Sequence, residues 1–278
     1  MDNDFRAAQV RIVLVGTQHP GNIGSAARAI KTMGLRRLVL VSPERYPHNE
    51  ADMMAAGADD VLAAAECFDT LAEAVADCQL VLGCTARSRR VALDELLPRD
   101  GAARIVEATA AGASVAVVFG RERTGLTNDE LQLCHAAVHI PADQAYTSLN
   151  LAAAVQVLAY EWRMAMLAAT ATATASGAPE RDPVEPPASH AELEGFFAQL
   201  AETLDAIDFH KGRAPHSAMR KLRRLFLRNQ LDRREVRLLR GILADAQRMA
   251  RLAASGSDAD VQAGSGGGNE ADVAKKAT

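Results

Sequence analysis

The sequence predicts an α/β fold with a parallel sheet, followed by a small all-α domain. From Val10 to about Met164, short apolar, β-branched runs alternate with alanine-rich stretches of helical periodicity. Strands that are apolar almost throughout are typical of a parallel sheet covered by helices on both faces. Helical periodicity returns from His190 to about Leu252, after an interval rich in proline. We expect an α/β domain at 1–165, a flexible linker at 166–189, a helical domain at 190–254 and a disordered tail at 255–278.

The α/β region contains five predicted strands and five predicted helices. The strands are the most apolar runs: Val10–Gly16, Leu38–Val41, Gln79–Cys84, Val115–Phe119 and Ala137–Ile140. The helices lie between or after them: from Asn22 to Met33, around Thr70–Asp77, near Gly101–Ala111, from Thr127, and a long last helix to about Ala165. An alternation of strand and helix predicts a sheet with helical crossovers.

The rest of the chain divides by composition. Residues 167–189 contain four prolines and lack a sustained apolar stripe, which predicts a linker. The helical domain has two predicted apolar faces: Leu193, Phe196, Phe197, Leu200 and Leu204 on one helix, and Leu222, Leu225 and Phe226 on another. Ser255–Thr278 is rich in Gly, Ser, Ala and Asp and predicts a disordered tail.

Cysteine usage and hydropathy indicate the cellular setting. The four cysteines, Cys67, Cys78, Cys84 and Cys134, form no C-x-x-C pair and have no histidine at metal spacing. We therefore expect neither a zinc site nor a disulfide framework, and a reducing, cytoplasmic location. The acidic N-terminal residues are not typical of a signal peptide, and no stretch approaches the roughly 20 apolar residues of a membrane span. We expect no membrane and no metal among the partners.

A first polar loop follows the strand Val10–Gly16 and precedes a helix. It carries Gly16, Gly21 and Gly24 but no G-x-x-x-x-G-K-S/T and no G-x-G-x-x-G, which argues against nucleotide phosphate binding of either standard kind. Asn22 stands near the helix start, and Arg28 follows about two turns later. Arg28 is either a functional cation or an ordinary solvated arginine.

A second loop follows the strand Val115–Phe119. Gly120 stands at the end of this strand, where open α/β sheets bind ligands and where glycine permits close approach of a ligand. An ordinary strand-end turn is the alternative. Glu122 lies between Arg121 and Arg123 and is interpreted as an anchor for the loop.

A third loop runs from Ile140 into an alanine-rich helix. Thr147 and Ser148 precede Leu149 and Asn150, and helix capping by at least one of the two hydroxyls is expected. Asn150 is hard to explain as a core residue and needs a polar partner. Whether Ser148 caps the helix or contributes to chemistry stays open.

Together the three loops resemble the motifs of the SPOUT superfamily of RNA methyltransferases, in its ribose 2′-O-methylating branch. The matching patterns are Asn22-x-Gly-x-x-Ala-Arg28, Val118-Phe-Gly-x-Glu-x-x-Gly-Leu126 and Ile140-Pro-x5-Thr147-Ser-Leu-Asn-Leu-Ala152. The resemblance implies a parallel-sheet SPOUT domain with a C-terminal trefoil knot, bound S-adenosylmethionine and an obligate homodimer. Residues 11–15, 33–35, 84–88 and 221–226 also resemble the members that methylate nucleotide 32, cytidine or uridine, in the tRNA anticodon loop.

The resemblance also implies roles for individual residues. Arg28 is the catalytic residue, acting across the dimer, with Ser148 and Asn150 assisting. An arginine stays protonated, so we expect it to stabilise the developing alkoxide rather than to remove a proton. The residues implied in S-adenosylmethionine binding follow the strands and the third loop: Cys84, Thr85, Ala86, Gly120, Ile140, Thr147, Ser148 and Leu149. Asn22 is assigned to RNA contact.

Positive charge is concentrated late in the chain. The whole sequence has a net charge of −4, yet Lys211–Arg251 contains thirteen basic and three acidic residues. Lys221, Arg224 and Arg228 share one helical face, which we interpret as a phosphate-binding surface for tRNA. The alternative is an ordinary charged helix face that contacts only solvent.

Two other functions stay open at this point. One is ribose methylation of ribosomal RNA within the same superfamily, although such relatives usually carry their extra RNA-binding domain before the catalytic one. The other is a non-catalytic, knotted RNA-binding protein. Methylation of a base is disfavoured by the Asn-x-Gly-x-x-Ala-Arg loop.

Overall fold

The computed structural model describes residues 2–86, 93–175, 186–211 and 214–264. The helices in these residues are α1 Asp2–Gln9, α2 Pro20–Thr32, α3 Asn49–Ala55, α4 Asp59–Ala63, α5 Leu71–Ala74, α6 Pro98–Ala110, α7 Asn128–Gln132, α8 Leu151–Ala175, α9 His190–Ala206, α10 Pro215–Arg228 and α11 Arg233–Gly264. The strands are β1 Val10–Val15, β2 Arg37–Val41, β3 Glu66–Phe68, β4 Leu80–Thr85, β5 Glu95–Leu96, β6 Val115–Phe119 and β7 Ala136–His139.

All seven strands form one parallel sheet in the order β3-β2-β1-β6-β4-β7-β5. The predicted parallel α/β fold is therefore confirmed, and all five predicted strands are present. The two strands that the sequence did not reveal, β3 and β5, lie at the two edges of the sheet. They have three and two residues and no fully buried side chain, so they lack the apolar run that marks the inner strands.

The sheet has a hydrophobic core on each face. In β1, Ile12 and Leu14 belong to one core, with α2, α6 and α8. Val13 and Val15 belong to the other, with α5 and α7. Because successive side chains of a strand point to opposite faces, a strand buried on both sides must be apolar throughout. The strand order reverses between β1 and β6, and the carboxyl ends of strands beside such a switch point are where open α/β sheets bind ligands.

Helix α8 extends ten residues beyond its predicted end near Ala165. Trp162 and Met166 are both 2 % exposed, so the helix still contributes to the core at the predicted boundary. Alanine is the strongest helix former, and the Thr170 hydroxyl donates to the Met166 carbonyl within the helix at 2.9 Å. Residues 166–175 of the predicted linker are therefore helical, and 176–185 lie outside the described residues.

Three helices, α9, α10 and α11, form the predicted C-terminal helical region around a core of its own. Phe196 and Phe226 meet edge to face, with their ring centroids 4.9 Å apart. The predicted apolar face of α10 is wrong at Leu225, which is 52 % exposed. Met219 packs with Leu222 and Phe226 instead, because these positions are spaced i, i+3 and i+7.

Helix α11 continues to Gly264. The first ten residues of the predicted disordered tail are therefore helical, and 265–278 lie outside the described residues. None of the helices in the described part of the chain combines the length and the apolar character that a membrane span requires.

The helical domain is joined to the α/β domain by backbone hydrogen bonds at the start of α9. The first helical N–H groups, of His190 and Ala191, donate to the carbonyls of Cys78 and Ala76 at 2.8 and 3.0 Å. The first N–H groups of a helix have no partner within the helix. The α5–β4 connection therefore supplies the acceptors that the start of α9 needs.

A buried histidine beside this junction makes stability depend on pH. The Nδ1 of His135 accepts the Val81 N–H at 3.0 Å. Burial, together with the neighbouring His190 and Arg104, lowers the pKa of His135 to about 3. The unfolded chain has a histidine pKa of about 6.5 and so takes up the proton first. The stability that neutral His135 contributes is complete above about pH 6.5 and is lost as the pH falls towards about 3.

We expect the free energy of unfolding to fall between about pH 7 and pH 4, by up to roughly 3 kcal/mol from this group. His135→Asn should flatten that dependence, because an amide does not titrate there. Urea unfolding across this range measures both. The control is His216→Asn, at an exposed position of α10, which should keep the wild-type slope; an unchanged slope in His135→Asn would contradict the assignment.

Candidate cofactor and RNA site

The second and third loops and the end of β4 line one cavity at the carboxyl edge of the sheet. Its volume is about 400 Å³, within the range of small-molecule sites. All eight residues that the sequence analysis assigned to the cofactor line it: Cys84, Thr85, Ala86, Gly120, Ile140, Thr147, Ser148 and Leu149. Two further residues of the quoted 84–88 segment, Arg87 and Ser88, lie outside the described residues.

Glu122 holds the first loop to the second. Its carboxylate accepts the backbone N–H groups of Gln18 and His19 at 3.0 and 3.2 Å, and the Nδ2 of Asn22 at 2.9 Å. Burial opposes the charged form, but these donors outweigh it and lower the pKa of Glu122. The sequence analysis interpreted Glu122 as an anchor for its own loop. In the structure it also holds the first loop, because its partners lie there, about a hundred residues earlier.

Asn150 joins the third loop to the same network. Its Oδ1 accepts the N–H groups of Ala152 and Ala153 at 2.9 and 3.3 Å, and its Nδ2 donates to the Oδ1 of Asn22 at 3.0 Å. Asn150 therefore caps α8, and the expectation that Thr147 or Ser148 would do so is wrong. The reason is position: α8 begins at Leu151, so only the residue before it reaches these N–H groups.

Ser148 and Asn150, the two residues of the third loop that were assigned to catalysis, have different environments. Ser148 lines the cavity, and its side chain is exposed. Asn150 is engaged at both ends and is absent from the cavity wall. The hydrogen bonds of Asn150 thus connect the start of α8 to Asn22, whereas Ser148 is part of the cavity wall.

Gly120 is required by the second loop itself. A Cβ at this position would lie 2.1 Å from the carbonyl carbon of Gly125 and 2.2 Å from the nitrogen of Leu126. The loop returns onto its own start, where the Gly125 N–H donates to the Arg121 carbonyl at 2.8 Å. The expected close approach at Gly120 is present, but the approaching group is the chain's own backbone.

We expect Gly120→Ala to open this loop, because neither backbone contact can yield by rotating a side chain. Cofactor affinity should fall roughly tenfold or more, and the free energy of unfolding by about 1–3 kcal/mol. Calorimetric titration with S-adenosylmethionine and urea unfolding measure the two effects. Gly241→Ala is the matched control, because a Cβ there meets nothing within 4 Å; equal behaviour of the two variants would contradict the prediction.

Part of the cavity wall is apolar and neutral. Ile140, Leu149 and Leu126 contribute aliphatic surface. Burial raises the pKa of the Cys84 thiol to about 12, so this group is neutral at physiological pH. Arg121, a charged residue of the wall, donates to both carboxylate oxygens of Glu130 at 3.0 and 3.1 Å.

Arg28 lies on the exposed side of α2, two turns beyond the loop. It is not among the residues that line the cavity, and it makes no hydrogen bond or ion pair with the described part of the chain. Within one copy of the chain, the Arg28 guanidinium therefore does not line the cavity. Ser148 does line it, and Asn22 is hydrogen-bonded to Glu122 of the second loop and Asn150 of the third.

The basic residues of the helical domain have different environments. Lys221 is exposed. Arg224 and Arg228 lie 3.7 and 3.8 Å from the carboxylate of Asp94 in the α/β domain, in partly exposed contacts. Arg223, which the sequence analysis did not separate from the others, is held by Glu194 and stacks over the ring of Phe197 at 4.5 Å. Some of the basic residues of this region are thus paired with carboxylates of the protein itself.

Comparison with known proteins matches two successive parts of the chain to two family models. Residues 9–160 match the model of the SpoU rRNA Methylase family, and residues 191–255 match that of the tRNA methyltransferase TrmJ, C-terminal domain. The tRNA (cytidine/uridine/adenosine-2′-O-)-methyltransferase TrmJ of Pseudomonas aeruginosa is 49 % identical over 245 residues, covering 87 % of this chain and 95 % of that protein.

Two further relatives agree with this match. The tRNA (cytidine/uridine-2′-O-)-methyltransferase TrmJ of Salmonella typhimurium is 50 % identical over 238 residues, 86 % of this chain and 96 % of that protein. Among solved structures, TrmJ from Z. mobilis superimposes with a TM-score of 0.71 at 36 % identity, covering 84 % of this chain and 97 % of that one.

Proposed function

Because the chain belongs to the SpoU rRNA methylase family over residues 9–160 and matches the TrmJ C-terminal domain over residues 191–255, we propose that it is a tRNA 2′-O-methyltransferase. It transfers a methyl group from S-adenosylmethionine to the ribose 2′-hydroxyl of nucleotide 32, cytidine or uridine, in the anticodon loop. The observation that carries the proposal is that the motif residues that follow β4, β6 and β7 line one cavity.

The residues of the cavity fit S-adenosylmethionine. Its aliphatic walls suit an adenine ring, and the ends of β4 and β6 present backbone groups that suit its polar edges. When bound, this cofactor would supply a methyl group activated by the sulfonium. The neutral thiol of Cys84 presents no competing thiolate. The reaction requires no metal ion.

The chain's own residues orient and stabilise the nucleophile. When the ribose oxygen takes the methyl group, the carbon–sulfur bond would break to leave a neutral thioether and the hydroxyl proton would pass to solvent water, so negative charge would develop on the oxygen as the proton leaves. The Arg28 guanidinium stabilises this charge without accepting the proton, because it stays protonated. Ser148 assists from the cavity wall, and the network of Glu122, Asn22 and Asn150 keeps the three loops in register.

Arg28 acts on the cavity of a second copy in a homodimer. Its position outside its own cavity supports this arrangement. So does an exposed apolar stripe on α8, where Tyr160, Met164 and Leu167 are 45–50 % exposed at i, i+4 and i+7. The third loop and α8 also include the segment that we propose to form a trefoil knot.

The C-terminal domain supports tRNA, rather than ribosomal RNA, as the substrate. The relatives named for tRNA methylation align with 86–87 % of this chain, and residues 191–255 match the model of the TrmJ C-terminal domain. Its exposed Lys221 and the face of Arg224 and Arg228 suit phosphate contact. The four free thiols support a reducing, cytoplasmic setting.

Mapping of methylated nucleotides in tRNA tests the proposal in cells. Mass spectrometry of tRNA from cells that lack the protein should show an unmethylated ribose at nucleotide 32 and unchanged methylation elsewhere. Restoring the gene should restore the methyl group. Intact methylation at nucleotide 32, with a ribosomal RNA ribose losing its methyl group instead, would favour the rRNA alternative.

A further inference from the structure

Tyr146 is an unusually exposed aromatic side chain beside the cavity. It is 80 % exposed, more than any other aromatic residue in the described ranges, and it directly precedes Thr147 of the cavity wall. The phenol has no hydrogen-bond partner in the described chain. Because the hydrophobic effect stabilises a fold only through buried apolar surface, this exposed ring contributes little to the stability of the fold.

The turn that carries Tyr146 is held by its own hydrogen bonds. The Tyr146 N–H donates to the Asp143 carbonyl at 3.0 Å, and the Ala145 N–H donates to the Asp143 Oδ1 at 2.8 Å. Asp143 thus closes the turn through both its backbone and its side chain. The ring is presented from an ordered backbone, which lowers the entropy cost of binding with it.

Arg123 lies in the second loop of the same cavity. Of three consecutive charged residues, Arg121 is paired with Glu130, and Glu122 holds the first loop. Arg123 is exposed, lines the cavity and makes no hydrogen bond or ion pair within the described residues. Of these three charged residues, Arg123 is therefore the one available to contact a ligand.

We propose that Tyr146 and Arg123 form a subsite for one unpaired nucleotide of the substrate RNA, with the base stacked on the Tyr146 ring and a phosphate held by Arg123. The proposal rests on the proposed function, because it adds RNA contacts to the cavity assigned to methyl transfer. An aromatic face stacks on any base, and an arginine fork matches phosphate oxygens. Sequence-specific proteins use this combination mainly on single-stranded loops.

Substitutions at Tyr146 separate stacking from simple apolar contact. With full-length protein and an unmodified tRNA transcript, Tyr146→Ala should raise the KM for tRNA roughly 5- to 150-fold. Tyr146→Phe keeps the aromatic face and should stay near wild type, whereas Tyr146→Leu should resemble Tyr146→Ala. The control is Phe5→Ala, at an aromatic that is 62 % exposed on α1, near the opposite edge of the sheet; it should leave the KM unchanged.

Salt dependence tests the phosphate contact. Arg123→Ala should weaken tRNA binding and reduce the slope of log affinity against log salt by about 1. Arg36 is an exposed arginine just before β2, at the amino edge of the sheet and away from the cavity. Arg36→Ala should leave the slope at its wild-type value.

Three results would overturn the subsite. They are a wild-type KM in Tyr146→Ala, equal activity of Tyr146→Leu and Tyr146→Phe, and dissociation of the wild-type oligomer by Tyr146→Ala in light scattering. The last would assign the ring to a subunit interface. Failure of the proposed function is distinct, because the wild-type protein itself would then transfer no methyl group to tRNA.

Discussion

Replacing Arg28 by alanine is expected to abolish methyl transfer, with a loss in rate of roughly 10²- to 10³-fold or more, while S-adenosylmethionine still binds. The guanidinium is exposed, unpaired within the described chain and absent from the cavity wall. Its removal therefore leaves the cavity wall unchanged, and under the proposed role it takes away only the charge that stabilises the reacting oxygen. Single-turnover transfer to a tRNA transcript and calorimetric titration with the cofactor measure the two effects.

Two companion experiments define how Arg28 acts. Arg28→Lys keeps the positive charge but loses the planar fork, so we expect partial activity. Mixed dimers of Arg28→Ala and Gly120→Ala should regain activity, because one shared site would combine an intact arginine with an intact cavity. Loss of cofactor binding in Arg28→Ala would contradict the role and reassign the residue to the cofactor site.

The second large effect concerns the basic face of α10. Replacing Lys221, Arg224 and Arg228 together by glutamine should weaken tRNA binding roughly 10- to 1000-fold and reduce the salt slope by about 0.9 for each lost phosphate contact. Cofactor binding should not change. The full chain is the right background, since a truncation at the predicted boundary of residue 165 would remove Met166, which is 2 % exposed, from the core.

Asp94→Asn is the matched control for this triple variant. It removes the carboxylate that Arg224 and Arg228 contact at 3.7 and 3.8 Å but keeps both cations. Such partly exposed ion pairs contribute about 0–1 kcal/mol. We expect tRNA affinity to be unchanged or increased in Asp94→Asn. A loss as large as that of the triple variant would show that domain docking, rather than phosphate contact, explains the effect.

The inner part of the fold was predictable because it is encoded locally. Strands such as Val115–Phe119 are apolar at every position, as a sheet covered on both faces requires. The edge strand Glu66–Phe68 escaped notice because edge pairing needs no such run. Leu225 was misassigned because the face that a helix buries depends on its partner, and here Phe226 packs on Phe196.

The cavity residues were predictable for a different reason. Their motifs, rather than any periodicity, carried the resemblance, and all eight of the assigned residues line one cavity. The links between the loops were not predictable, because Glu122 and Asn22 are a hundred positions apart and meet only in the folded chain. The cap at Asn150 depended on the first residue of α8, and helix boundaries are uncertain by a few residues from sequence alone.

A reconstituted reaction measures the proposed methyl transfer to one ribose of tRNA most directly. Purified protein, S-adenosylmethionine with a labelled methyl group and an unmodified tRNA transcript are incubated, and the RNA is digested and mapped by mass spectrometry. We expect a single labelled methyl group on the ribose of nucleotide 32, which Arg28→Ala fails to introduce. A label on a base, at another nucleotide, or absent from the RNA while the cofactor binds would contradict it.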